Sequence, residues 1–188
     1  MLSKRVFDFI FALIILLGVS IPMLLIALLV KLTSTGPALY WSDRVGLNNQ
    51  LFSMPKFRSM KSDTPEVATH LLNDPQSAIT PMGHFLRKTS LDELPQLWNI
   101  LKGDMSFVGP RPALFNQEDL IALRTAHNVH QLMPGLTGWA QINGRDELAI
   151  TEKVELDIEY LQQQSFTKDL SILWLTLFRV LHKDGVRH

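Results

Sequence analysis

The sequence predicts an α+β protein, mostly α, in which an N-terminal membrane helix precedes a small domain with a short β-hairpin and interfacial amphipathic helices. Three observations carry that prediction. Residues 9–30 hold no charged side chain. Residues 33–50 are turn-rich around a short strand-like run, and residues 51–60 roughly alternate. From residue 81 onward, apolar residues recur in helix-length segments separated by proline and glycine.

The uncharged run from Phe9 to Val30 covers 22 residues, and about 20 suffice to cross a bilayer core as a helix. Signal peptides have shorter apolar cores and a small-residue cleavage site. Residues 1–32 are therefore expected to be a retained membrane anchor and residues 33–188 a separate domain, with a buried core helix as the plainer alternative. Pro22 follows Gly18 and Ser20 inside the run. Proline removes a helix hydrogen bond and crowds the preceding turn, so a kink is expected. Lys4 and Arg5 precede the run, and Lys31 and Arg44 follow it, so the lysine and arginine asymmetry that sets orientation is nearly missing. Two topologies fit: a kinked spanning helix, and a helix that bends near Ser20–Pro22 and returns to the same face. Asp8 stands within one turn of Arg5 and could pair with it.

Residues 38–41 and 51–60 are expected as strands, and residues 61–80, polar with two prolines, as a surface loop. Residues 81–103 and 115–131 are expected as helices, with an extended loop over 104–112. Turn signals at Pro134-Gly135 and Asn143-Gly144 suggest a short hairpin from Leu136 to Ile142. Residues 151–163 and 166–183 close the chain as two helices. The last is apolar over most of its circumference and carries Trp174, Phe178, Lys168, Arg179 and Lys183. That mixture suits a helix lying at a membrane interface, and an ordinary core helix suits it equally.

Composition excludes several classes. With 18 basic and 18 acidic residues the net charge is zero, which argues against a nucleic-acid partner. Cysteine is absent, so there is no disulfide framework and no thiolate metal site. There is no Walker-type glycine loop and no G-x-G-x-x-G, which argues against kinases, ATPases and dinucleotide-dependent dehydrogenases. Of His70, His84, His127 and His130, the last two are three apart but have no acidic or cysteine partner close in sequence, so solvated side chains are expected rather than a metal site.

The chemistry concentrates at Arg87-Lys88-Thr89-Ser90-Leu91-Asp92-Glu93. Ser90 and Glu93 have the spacing of a capping box. Asp92 and Glu93 at a helix start, beside Arg87 and Lys88, also form a carboxylate pair whose charge the dipole and cations would preserve. An ionised aspartate can attack phosphorus and give an acyl phosphate, with arginines and Mg²⁺ neutralising the converging anions. Adjacent helical carboxylates diverge by ~100°, which disfavours the opposed pair of a glycosidase. Arg111 lies between Pro110 and Pro112, which stiffen its backbone and suit it to clamping an oxyanion; a rigid turn with a solvated arginine is the alternative. Lys56, Arg58 and Arg145 are further phosphate-binding candidates.

These residues carry a resemblance. RVFDF before the apolar run, KFRSM at 56–60, LRKTSLDELPQLWNILKGDMSFVGPRP at 86–112 and PGLTGWAQINGR at 134–145 together resemble the bacterial sugar transferases, the monotopic phosphoglycosyl transferases that act on polyprenyl phosphate. The resemblance spans nearly the whole chain. It implies that Asp92 is the nucleophile that takes a sugar phosphate from a UDP-sugar and releases UMP, with Glu93 its partner. It implies Mg²⁺ at this carboxylate pair, and phosphate or substrate contacts at Arg87, Arg111 and Arg145. It also implies a re-entrant helix in the bacterial inner membrane, with the catalytic domain facing the cytoplasm. The family's helix break is typically a Ser-Pro pair, whereas here Ser20 and Pro22 are separated by Ile21. The chain lacks the additional membrane helices of larger members and resembles the minimal catalytic form. A membrane-bound UDP-sugar diphosphatase, a non-catalytic adaptor of glycan assembly and a lipid-binding interfacial protein are the competing readings.

Overall fold

The computed structural model describes residues 2–65, 74–144 and 148–182. Helix α1 (Leu2–Thr33) is one continuous helix with Pro22 inside it. The helix is not interrupted at Ser20–Pro22, where the Ser20 hydroxyl donates to the Leu17 carbonyl at 2.8 Å. Hydroxyl donation of this kind helps a helix carry proline by satisfying nearby carbonyls. One stripe of α1 packs on the domain along its length. Ala12, with Ile15, Leu16 and Val19, joins the main core, and Ile26 and Val30, with Met23 and Ala27, join a second cluster. This three-and-four spacing is that of a single helix face. The opposite face leaves Ile14, Leu17, Ile21, Leu24 and Leu32 exposed. By length and composition α1 can cross a membrane.

Both ends of α1 are fastened to the domain. Arg5 donates to the Ile100 and Leu101 carbonyls, and Lys4 donates to Val108 O and pairs with Asp169. Asp8 is buried and accepts from the Phe107 amide. The expected Asp8–Arg5 pair is thus replaced, because Arg5 finds the unsatisfied carbonyls at a helix C-terminus. At the far end, Arg58 donates to the Ser34 carbonyl and hydroxyl, both at 2.8 Å.

Strands β1 (Leu39–Val45) and β2 (Leu51–Phe57) form an antiparallel hairpin. Its turn places Asn48 and Asn49 at positive φ, which asparagine tolerates. A short helix α2 (Pro75–Ala78) leads to α3 (Pro81–Thr89), capped by the Thr80 hydroxyl with Pro81 in the first turn. The single helix expected over 81–103 is three pieces: α3, a 3₁₀ segment Leu91–Gln96 and α4 (Leu97–Lys102). Ser90 takes a left-handed conformation and ends α3, and Pro95 cannot donate to a helical ladder. Next come β3 (Ser106–Val108) and β4 (Ala113–Leu114), the latter pairing with the free edge of β1. Helix α5 (Glu118–Ala126) stops before Asn128, also at positive φ, so the helix expected over 115–131 is shorter.

The hairpin expected over Leu136–Ile142 does not form. Strand β5 (Gly135–Thr137) pairs in parallel with β3, and the chain turns directly into α6 (Trp139–Asn143). The reason is close backbone contact. A Cβ on Gly109 would stand 2.1 Å from Met133 O, and one on Gly138 would stand 2.1 Å from Gly109 O. These two glycines let the loop after β3 lie directly on the segment around β5. Gly109→Ala is expected to cost about 1–3 kcal/mol through overpacking, read as a lowered thermal midpoint.

Helices α7 (Ile150–Gln163) and α8 (Phe166–His182) complete the domain. Ile172 and Asp169 of α8 are buried, whereas Trp174, Leu177 and Phe178 are exposed. The helix therefore has one core face and one exposed apolar face. The rings of Phe7 in α1 and Phe166 in α8 meet edge to face at 5.3 Å.

Candidate active site

Three segments converge on the carboxylate pair. The 3₁₀ turn after α3 presents Asp92 and Glu93, β2 supplies Lys56, and the loop after β3 supplies Arg111. Glu93 Oε1 accepts from Lys56 Nζ at 2.8 Å and from Arg111 Nη2 at 3.1 Å. The capping box expected from Ser90 to Glu93 is absent: Ser90 makes no side-chain cap, and Glu93 turns to the two cations instead.

The two carboxyls differ electrostatically. Burial raises the Asp92 pKa and the charge of Glu93 adds to the rise; Lys56, Arg87 and Arg111 oppose it, and the pKa stands at about 6. Burial also disfavours ionised Glu93, but Lys56 and then Arg111 more than offset it, holding Glu93 well below the usual carboxylate range. Asp92 is only 8% exposed, so burial moves its ionisation closer to neutrality, while the nearby cations favour the charged form, as the sequence suggests. Asp92 is a carboxyl poised to lose its proton near neutrality, and Glu93 is a permanent anion that fixes Lys56 and Arg111 beside it.

The sequence profile of the bacterial sugar transferases matches residues 1–183. The chain belongs to the bacterial sugar transferase family. It is 41% identical, over 100% of its length and 91% of the relative's, to the uncharacterized sugar transferase EpsL of Bacillus subtilis (strain 168). It is 44% identical over 95% of its length to the UDP-glucose:undecaprenyl-phosphate glucose-1-phosphate transferase of Escherichia coli (strain K12), covering 40% of that protein. It is 41% identical over 97% of its length to the undecaprenyl-phosphate galactose phosphotransferase of Salmonella typhimurium (strain LT2), covering 41% of that protein. The chain thus spans about two fifths of the last two relatives.

In this sugar transferase Lys56, Asp92, Glu93 and Arg111 come together, and Arg87 is close enough to favour the charged form of Asp92. Arg58 is instead buried at the end of α1, where helix carbonyls stabilise a cation; its Nε and Nη1 are buried without hydrogen-bond partners. Arg145 lies outside the described residues, as does His70. Sequence reasoning missed Arg124, which donates to Asp157 Oδ2 from Nε at 2.9 Å and Nη2 at 2.7 Å, and to the Arg111 carbonyl from Nη1 at 2.7 Å. This buried pair grips the backbone of Arg111 from behind. Tyr160 was missed too; its hydroxyl donates to Asp169 at 2.6 Å. The two arginines are 13 residues apart in sequence, so no local spacing announces their contact.

Proposed function

We propose that this chain transfers a sugar 1-phosphate from a UDP-sugar to undecaprenyl phosphate, releasing UMP. The observation that carries the reading is the Asp92–Glu93 carboxylate pair with Lys56 and Arg111 bound to Glu93. An Asp92 oxygen attacks the sugar-bearing β-phosphorus, and the bond from that phosphorus to the bridging oxygen breaks, so UMP departs with the electron pair. An oxygen of the lipid phosphate then attacks the same phosphorus and frees the aspartate, leaving a polyprenyl diphosphosugar. Lys56, Arg111 and Arg87 stabilise the converging negative charge. Glu93 holds the first two in position.

Mg²⁺ suits this donor set. It prefers oxygen, binds through one or two carboxylates and completes its shell with water and substrate phosphates. Asp92 and Glu93 offer those carboxylates, and a cation would offset the burial that disfavours charged Asp92. Bound there, Mg²⁺ would neutralise phosphate charge. Among the described residues no three acidic, histidine or cysteine side chains gather into a protein-only metal cage.

The same proposal places α1 in the bacterial inner membrane as a re-entrant helix with the domain on the cytoplasmic side. The support is that Lys4, Arg5 and Asp8 at its start and Val30 and Ser34 at its end all contact the same domain. A spanning helix would separate its ends by roughly 30 Å of hydrocarbon.

The test is UMP release by the protein in nanodiscs with Mg²⁺ and a panel of UDP-sugars. Turnover that requires undecaprenyl phosphate and stops with EDTA is expected. Steady UMP release without lipid phosphate would point to a diphosphatase instead.

A further inference from the structure

A shallow cleft opens beside the Arg111 loop, between the β1–β2 turn, α5 and residues 129–134. Pro110, Pro112, Ile121 and Leu132 give it apolar walls. Arg124 also lines it, but Asp157 and the Arg111 carbonyl engage that guanidinium, so it builds the wall. Two further polar side chains remain. His130 Nδ1 is buried without a hydrogen-bond partner. The Asn49 amide nitrogen donates to Thr125 Oγ1 at 2.9 Å, which leaves its carbonyl oxygen as an acceptor.

We propose that this cleft holds the uracil base of the donor nucleotide, with Asn49 and His130 reading its polar edge. This rests on the reading of the chain as a UDP-sugar transferase. A hexose carries hydroxyls around its whole rim, and apolar walls with two polar groups would strand most of them unpaired. A pyrimidine has two apolar faces and one polar edge, which matches the walls and the two groups. The edge of uracil presents N3–H between two carbonyls. Asn49 accepts from N3–H, and His130, protonated at Nδ1, donates to a flanking carbonyl. Cytosine has an unprotonated N3 and cannot make the first bond. Distance agrees as well: Arg111 lines the cleft while its Nη2 reaches Glu93. The cleft and the carboxylates are one arginine side chain apart, so a base in the cleft leaves its phosphates to pass Arg111 toward Asp92.

Calorimetric titration of UMP and CMP into the full chain in nanodiscs tests this. The wild type is expected to bind UMP at least about tenfold tighter than CMP, since a site built on hydrogen bonds rejects the analogue that cannot make them. Asn49→Gly, which accepts the positive φ, and His130→Ala should each weaken UMP by about tenfold, the worth of one hydrogen bond, and erase the preference. His130→Gln, which restores a donor, should recover part of it. The UMP-to-CMP ratio is read because mere loosening of the fold would weaken both nucleotides alike. An unchanged ratio in both variants, or equal wild-type affinities, overturns the cleft assignment while lipid-dependent UMP release stands. Absence of nucleotide binding together with absence of UMP release overturns both.

Discussion

Asp92→Asn is expected to abolish transfer and, at the same time, to make the protein more stable at neutral pH. Loss of the attacking oxygen should lower turnover by at least about 10⁴-fold, as removal of a nucleophile does elsewhere. The gain in stability follows from burial. Asp92 has its pKa raised from an ordinary 3.8 to about 6, so the folded state holds this proton more tightly than the unfolded chain. Below pH 3.8 the group is neutral in both states and costs nothing. As pH rises from 3.8 to 6, stability falls, and above 6 the full cost is present, on the order of 3 kcal/mol. Asparagine removes that cost, so its thermal midpoint should exceed the wild type's at pH 7.5 and match it at pH 4. Mg²⁺ should raise the midpoint of the wild type more than that of Asp92→Asn, a readout independent of turnover. The wild-type kcat/KM should climb with pH through about 6 as Asp92 ionises. A midpoint for Asp92→Asn below the wild type's at pH 7.5 would contradict the burial argument.

Glu93→Gln should move stability the other way, although the two carboxylates are neighbours in sequence. Glu93 is depressed by Lys56 and Arg111, so its contribution is present above its ordinary 4.5 and is lost as pH falls below that value. Glutamine leaves two cations facing each other without their anion. Breaking a fully buried pair costs about 3–5 kcal/mol, and partial exposure here reduces this to about 2 kcal/mol. Turnover should drop by about 10²–10³-fold, because Lys56 and Arg111 lose the group that holds them over the phosphates. Urea unfolding of the two variants at pH 7.5 checks the opposite signs, and steady-state UMP release checks the rates.

The local patterns that made the fold legible were those with short-range causes. The uncharged run of Phe9–Val30 became α1, the alternating residues around Leu51–Phe57 became β2, and the two C-terminal helices fall where periodicity puts them. The failures have a tertiary cause. Pro134-Gly135 and Asn143-Gly144 have hairpin chemistry, but contacts among Gly109, Met133 and Gly138 draw Gly135–Thr137 into a parallel pair with β3. The helix expected over 81–103 was broken by Ser90, whose left-handed conformation is not a local preference.

The site divides similarly. Asp92, Glu93, Lys56 and Arg111 were named from motif and resemblance, and the fold brings them together. Which cation serves which acid was not legible, since Lys56 and Glu93 are 37 residues apart. Arg58, two residues beyond Lys56 and just past the end of β2, closes the end of α1 instead. Burial of Asp92 was likewise hidden, because it arises from packing rather than sequence neighbours.

The central claim is that Asp92 forms a covalent bond to the sugar phosphate. Intact-protein mass spectrometry after mixing the chain with Mg²⁺ and its UDP-sugar, without lipid phosphate, tests it most directly. A gain of one sugar phosphate per chain is predicted, mapped to the peptide containing Asp92, lost on addition of undecaprenyl phosphate and absent in Asp92→Asn. An adduct on another residue, or lipid-dependent turnover at full rate in Asp92→Asn, would contradict the account.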